Sequence, residues 1–315
     1  MNKYLGGLAF SLVCSLLLFS CKGSKSAVQP AAALPHSLLW KIEKAGLSQP
    51  SYLFGTIHMI PKEDYFLPSG LDEAFDQSKN VVFEIDLDEM SGIGSMMGML
   101  SNLMMNDGTT LEDLLTDQEY AEVSTYFEKM GLPMFLLSKV KPMFLSMLAE
   151  INMDPSEMQS DDVISYEMEL YERAQKTSKE VGGLETMEYQ MSLFDSIPYK
   201  DQAVMLLDAV RSTNAENDMF DQTVELYKHQ DIEAMIDMVS DAQPGEDSDF
   251  ENMLINNRNQ NWIPVMAKMM NNGPVFFAVG AGHLAGENGV LNLLKKQGYK
   301  LTPVSVYKAV TPKRV

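Results

Sequence analysis

Val275-Phe276-Phe277-Ala278-Val279-Gly280-Ala281-Gly282-His283 runs five apolar residues into a glycine-rich turn that ends on histidine. Aromatic and branched residues dominate the run and Pro274 precedes it, so it reads as a short buried strand. A helix is expected from Gly289 to Gln297 and a strand around Tyr299 to Tyr307. The same order occurs near the other end of the chain. Ser51-Tyr52-Leu53-Phe54-Gly55-Thr56-Ile57-His58 gives a strand and a second Gly-x-x-His turn, a helix is expected from about Gly70 to Ser78, and Val81 to Asp88 follows as a strand. The second half of that strand alternates apolar and acidic residues, as a strand with one buried face does. Each copy reads as a βαβ unit whose right-handed crossover makes its two strands parallel. The expected fold is therefore α/β, with a central mixed sheet built from two βαβ halves. Both histidine turns then lie at the carboxyl edge, where open α/β sheets bind ligands.

Residues from about 109 to 240 pattern as helices and form a large helical insertion between the halves, covering the sheet or roofing the site. Thr116-x-x-Glu119 and Asp162 mark helix starts, and Pro133, Pro142, Pro155 and Pro198 divide the block. Between Glu89 and Asn106 stand six of the 25 methionines: Met90, Met96, Met97, Met99, Met104 and Met105. Thioethers bind Cu(I), but no His or Cys accompanies these, so the segment reads as an adaptable lid or membrane-near flap. Ala242 to Asp249 is a turn-rich acidic loop.

Residues 1–20 carry Lys3, an apolar run from Leu5 to Phe19 and a small Ser20 before Cys21, the layout of an export signal. The run is shorter than the roughly 20 residues that span a bilayer. Leu18-Phe19-Ser20-Cys21 resembles a bacterial lipobox, so Cys21 is expected to carry lipid and to anchor the chain to a membrane of the bacterial cell envelope. Residues 21–37 form a tether and 38–315 one domain. Cys14 leaves with the signal, so no disulfide is expected. The formal charge is -20, and loss of Lys3 makes it more negative still. With no basic cluster to offset it, nucleic acid is excluded as a partner, and anchoring falls to the lipid rather than to a basic patch.

Of four histidines, His36 falls in the tether and His229 in a polar helical stretch, whereas His58 and His283 each close a glycine turn. Imidazole is the commonest metal ligand and the base best matched to neutral pH. Glu84, off the apolar face of Phe83, Ile85 and Leu87, is the third expected member, with Asp86 as the alternative. Two histidines and a carboxylate suit Zn2+, Mn2+ or Co2+ with an open position for water. Glu84 is either a ligand or the general base. Arg258, among amides and shortly before the second motif, is suited to hold a carboxylate or an oxyanion.

Leu39-Trp40-Lys41-Ile42, the segments Phe54 to His58, Val81 to Leu87, Gly183 to Thr186 with Gln190, Asn257 to Trp262, and Val279 to Tyr299 together resemble the TraB/GumN family. That family is related to the Tiki membrane metalloproteases and, more distantly, to erythromycin esterases and ChaN-like haem-binding lipoproteins. The resemblance implies His58 and His283 as the paired histidines, Glu84 as their acidic partner, Arg258 as the matching arginine, and divalent-metal-dependent peptide hydrolysis. The Gly183 to Thr186 segment has no derived chemical role; Glu185 is expected either to support the site or to anchor the helical insertion. The expected function is a metal-dependent, peptidase-like hydrolase acting on a peptide or small-molecule substrate. A metal-independent esterase-like hydrolase and a non-catalytic haem- or metal-binding lipoprotein stand as alternatives.

Overall fold

The computed structural model describes residues 34–91, 98, 100–151, 162–212, 218–241 and 251–307. The signal, Cys21, residues up to 33, residues 92–97 and 99 of the methionine-rich segment, and the acidic loop lie outside the described residues. Of the methionines named above, Met104 bridges Val140 and Met105 is buried. The described chain starts at Leu34, whose N–H donates to Glu233 Oε2 at 3.0 Å.

Six strands form the main sheet: β1 (Leu39–Glu43), β2 (Ser51–Thr56), β4 (Asn80–Ile85), β6 (Glu180–Glu185), β7 (Val275–Gly280) and β8 (Lys300–Pro303). Their order is β6-β4-β7-β2-β1-β8. A separate two-stranded pair joins β3 (Ile60–Pro61) to β5 (Val163–Ile164). The run β6-β4-β7-β2 is parallel and β1 is antiparallel to both its neighbours, so the sheet is mixed as expected. The two halves interleave rather than sit side by side. β7 lies between β2 and β4 and pairs with β2 through Thr56 and Gly280, which sets the two Gly-x-x-His loops next to each other at one edge.

From β4 the chain goes on to β6 on one side; from β7 it goes, through the helix Val290–Lys296, to β8 on the other. The gap between β4 and β7 is thus the topological switch point, the place where open α/β sheets take ligands. The pairing of these two strands stops at Val82 and Phe277, while β4 and β6 stay paired to Ile85 and Glu185. A crevice opens there, and Glu84 lies at it.

Every residue of β2, and all of β7 except Gly280, is buried. Covered on both faces, such strands must be apolar throughout, as these runs are. The same cover corrects the reading of Val81 to Asp88. The strand ends at Ile85, and Val81 through Glu84 are all buried because β6 and β7 flank it, so the alternation of acids past Ile85 belongs to a loop. There Asp86 Oδ1 accepts the Asp88 N–H.

The insertion is helical with one correction of consequence: it also supplies the edge strand β6. Two glycines in Glu180-Val181-Gly182-Gly183-Leu184-Glu185 disguised that strand. Gly183 is required, since a Cβ there would stand 2.5 Å from Asp86 N. Thr116 caps the helix Asp117–Lys129 through a reciprocal box with Glu119, as read from the sequence. Asp162 is not a cap, because Val163–Ile164 intervenes and Ser165 caps Tyr166–Lys176 instead. The helices Asp117–Lys129, Pro142–Ile151 and Tyr199–Ser212 pack around a core of their own that includes Leu111, Phe127, Leu145 and Leu206.

The glycines of the two motifs serve close approach rather than a special turn, because neither Gly55 nor Gly280 has positive φ. A Cβ on Gly55 would lie 3.0 Å from Leu284 Cδ2 and 3.1 Å from Ala281 Cα. The first motif is therefore pressed against the second. Gly55→Val is expected to cost about 1–3 kcal/mol by overpacking, read as a drop of several degrees in thermal midpoint. Gly282→Ala, where a Cβ meets nothing within 4 Å, is expected to shift stability by no more than about 0.5 kcal/mol. Equal losses from the two would contradict this packing.

Candidate active site

Glu84 is the centre of the crevice. It is 9% exposed, and its Oε1 accepts the Gly280 N–H at 2.8 Å where the β4–β7 ladder has ended. A Cβ at Gly280 would lie 3.2 Å from the same oxygen, a tight contact that glycine avoids. Oε2 of Glu84 accepts from Arg258 Nη2 at 2.5 Å and from Gln190 Nε2 at 3.2 Å.

Arg258 and its neighbours come from one helix, Asn257–Asn272, entered through a widened turn in which Asn257 N–H reaches back five residues to Asn252 O. Such wide turns collect at functional sites. The Arg258 side chain is 7% exposed. Its Nε donates to Glu185 Oε1 at 2.9 Å, Nη2 lies 2.7 Å from the same oxygen, and Nη1 donates to Leu254 O at 3.0 Å. Trp262, one turn on, donates Nε1–H to the other Glu185 oxygen at 2.8 Å. One buried guanidinium is thus shared by two buried carboxylates, and each of its nitrogens has a partner. In this state Arg258 organises the site rather than offering a free anion clamp.

His283 is 5% exposed and leans on Trp262, with ring centroids 4.5 Å apart. Its Nδ1 lies 2.7 Å from Asn259 Oδ1. The Asn259 amide nitrogen is committed to two carbonyls, His283 O at 3.2 Å and Asn288 O at 2.9 Å. The amide oxygen must then face the ring, so the proton is assigned to Nδ1 and Nε2 carries the lone pair. That lone pair faces Arg258 Nη1 at 3.2 Å and stands 3.8 Å from Glu84 Oε1. Burial, helped by the nearby guanidinium, pulls the ring down to about 4, so it is neutral at pH 7. Glu84 goes the other way: burial pushes it up, but His283, Arg258, His58 and the Gly280 N–H together pull it down to about 2. For this coupled pair we assign the ionised carboxylate and the neutral imidazole. Arg258 is the partner that remains charged at every accessible pH. Burial also raises Glu185, against the pull of Arg258.

His58 lies just past the end of β2 in the opposite environment. Its side chain is 76% exposed, and Nδ1 lies 3.3 Å from Glu167 Oε1. That hydrogen bond, more than any other influence, raises the ring to about 9. His58 is accordingly an imidazolium at neutral pH. The two histidines thus have environments that push their pKa values apart, the pattern by which acid and base roles are divided.

The structure brings His283, Glu84 and Arg258 into direct contact and places His58 at the neighbouring strand end. Asp86 caps a turn, His229 is exposed, and His36 pairs with Asp231 at 3.5 Å. The sequence did not reveal Glu167 or Asn259 as parts of the site, while Glu185 takes the first of its two expected roles, supporting the site through Arg258 and Trp262. For Asn259 the signal was adjacency to Arg258; for Glu167 there was none. Among the described residues no group of three His, Cys, Asp or Glu stands close enough together to hold a metal ion. His283 Nε2 and Glu84 Oε1 stand 3.8 Å apart, but the Nε2 lone pair faces Arg258 Nη1 at 3.2 Å, and His58 is turned to Glu167.

A family profile described as the TraB/PrgY/gumN family matches residues 38–303. Among curated proteins, the chain is 23% identical to Metalloprotease TIKI1 of Danio rerio over 84% of this chain and 63% of that protein. It is 24% identical to Metalloprotease TIKI1 of Homo sapiens, over 87% and 63% of the two chains. Against Metalloprotease TIKI2 of Xenopus tropicalis the identity is 24%, over 88% and 62%. The chain thus spans a little under two thirds of the length of these relatives. No solved structure matches.

Arg258→Met keeps the apolar stem and leaves two carboxylates buried without their cation. A loss of about 3–5 kcal/mol is expected in urea unfolding at pH 7; an unchanged midpoint would contradict the triad. The histidines act on stability in opposite senses. With the His283 value lowered, the unfolded chain binds a proton that the folded chain does not between pH 6.5 and about 4, so stability falls as pH falls through that window. With the His58 value raised, its contribution is complete below 6.5 and is lost as pH rises toward about 9. In thermal melts across this range, His283→Gln is expected to flatten the acid limb and His58→Gln the alkaline limb; the reverse pattern would overturn the assignment.

Proposed function

The chain belongs to the TraB/PrgY/gumN family, and from that membership we propose that it is a divalent-metal-dependent hydrolase with a peptidase-like site. The observation that carries the reading is the pairing at the switch point of a fixed Nε2 lone pair on His283 with ionised Glu84, 3.8 Å apart. Similarity to proteins named metalloproteases supports it.

His283 and Glu84 would hold the ion, with His58 completing the set and Mn2+, Co2+ or Zn2+ as the candidates. When bound, such an ion polarises a carbonyl and acidifies its water. Glu84, kept ionised, is the site's proton acceptor when it is not a ligand. Arg258 keeps Glu84 ionised until it takes up a proton and holds it in register with His283. His58 must give up a proton to become a ligand, so metal affinity should rise with pH. The chain's own anchor, in this reading, is lipid on Cys21 in the bacterial envelope. The support for this is the Leu18 to Cys21 sequence after its apolar run; among the described residues no helix is long and apolar enough to cross a membrane.

A metal-independent hydrolysis is the second reading, favoured by one observation. Arg258 already spans Glu84 and His283 with a permanent positive charge. One assay separates the two. Protein stripped of metal is tested on a mixed peptide pool with Mn2+, Co2+ or Zn2+ restored. Hydrolysis is expected to return only with metal and to fall by at least about 100-fold in His58→Ala and in His283→Ala. Activity that survives both chelation and these substitutions would sink the proposal. Activity that survives chelation but not the substitutions would select the metal-independent reading.

A further inference from the structure

Both motif histidines are gripped at the same ring atom. His283 Nδ1 is hydrogen-bonded to Asn259, and His58 Nδ1 is ion-paired with Glu167 at 3.3 Å. The second partner comes from far away in sequence, on the helix Tyr166–Lys176 that the insertion supplies.

Glu167 is built into its place. Its side chain is 18% exposed against 76% for His58, so the acid is the fixed member of the pair and the histidine the one it holds. One oxygen accepts from Thr56 Oγ1 at 2.6 Å and the other from Ser165 Oγ at 3.2 Å. Thr56 is the last residue of β2, is 1% exposed and pairs with Gly280 in the sheet. Ser165 caps the helix whose first turn holds Glu167, a position that favours a carboxylate. Both hydroxyls thus lock the carboxylate to the strand end that leads into the His58 loop. An ordinary surface ion pair has two mobile partners; here one partner is immobilised by the sheet edge itself.

The geometry points to Glu167 as the positioning residue of His58: by holding Nδ1 it makes Nε2 the ring atom that His58 offers to the site. A ring on an exposed loop otherwise rotates freely and must be ordered at each encounter. A second partner that fixes the ring, and keeps the proton on Nδ1 when the Nε2 proton is given up, removes that cost. This deepens the proposed function, since the value of an oriented Nε2 rests on His58 belonging to the reactive site, but the grip itself can be measured without metal or substrate.

The decisive readout is the 15N-histidine NMR spectrum of the purified protein at pH 7, with the His58 signal identified by its loss in His58→Ala. An Nδ1 proton held by a carboxylate is expected for His58 in the wild type, lost in Glu167→Ala, and retained in Glu167→Gln, whose amide oxygen still accepts. Affinity for Mn2+, measured alone, is expected to fall about 10–100-fold in Glu167→Ala and less in Glu167→Gln. An unchanged His58 Nδ1 signal in Glu167→Ala overturns the inference. Should that variant fail to fold, Thr56→Val, which removes the hydroxyl steadying Glu167, is expected to speed exchange of the same proton; no change there also overturns it. Wild-type protein that binds no Mn2+ while showing the held Nδ1 proton counts against the proposed function alone.

Discussion

The structure turns on one buried cation. Arg258 lies between Glu84 at the switch point and Glu185 on the edge strand, and touches His283 with its remaining nitrogen. Two carboxylates so placed repel each other in a medium that screens charge poorly, so neither is tolerable without the guanidinium. Its presence allows β4 and β7 to part after Val82 and Phe277, with a side chain taking the Gly280 N–H that the ladder no longer pairs. It also explains why the insertion returns to the sheet. Without β6 there is no Glu185, and Arg258 and Trp262 lose their second anchor.

From that cation follows the difference between the two histidines. His283 is buried against a positive charge and an aromatic ring and is held by a neutral amide, so it stays uncharged with its Nε2 lone pair facing Arg258. His58 is open to solvent and held by an acid, so it carries a proton. Near-identical motifs at adjacent strand ends thus acquire opposite electrostatic characters: burial sets that of His283 and the Glu167 carboxylate that of His58. A divalent ion at this site would have to share Glu84 with Arg258 and displace a proton from His58, so its affinity would rise with pH.

Much of this was legible in the sequence where the physics is local. Buried parallel strands demand unbroken apolar runs, and Val275 to Val279 and Ser51 to Phe54 supplied them. The glycines at 55 and 280 marked the strand ends, with their histidines at fixed spacing, but that they serve close approach and not a tight turn came from the packing. Glu84 and Arg258 were accessible through the same local contexts. What escaped depended on distant pairing. Gly182 and Gly183 lower strand propensity, and only the neighbouring β4 makes residues 180–185 a strand, so Glu185 stayed undecided between its two expected roles. Glu167 sits in an acid-rich helix (YEMELYERAQK) where nothing distinguishes it from Glu169 or Glu172 except the fold that sets it against Thr56 and His58. The alternation at Val81 to Asp88 misled because an edge-like pattern straddled the end of a central strand.

The central claim is that the two glycine–histidine turns, Glu84 and Arg258 form a single cation-binding reactive centre at the β4–β7 crevice. Anomalous scattering from crystals grown with Mn2+ tests it most directly. Expected is one strong peak in ligand contact with His283 Nε2 and Glu84, with His58 turned toward it and the Arg258 guanidinium shifted away from His283. A peak bonded to none of these residues, or none at all with Arg258 still spanning Glu84 and His283, would contradict it.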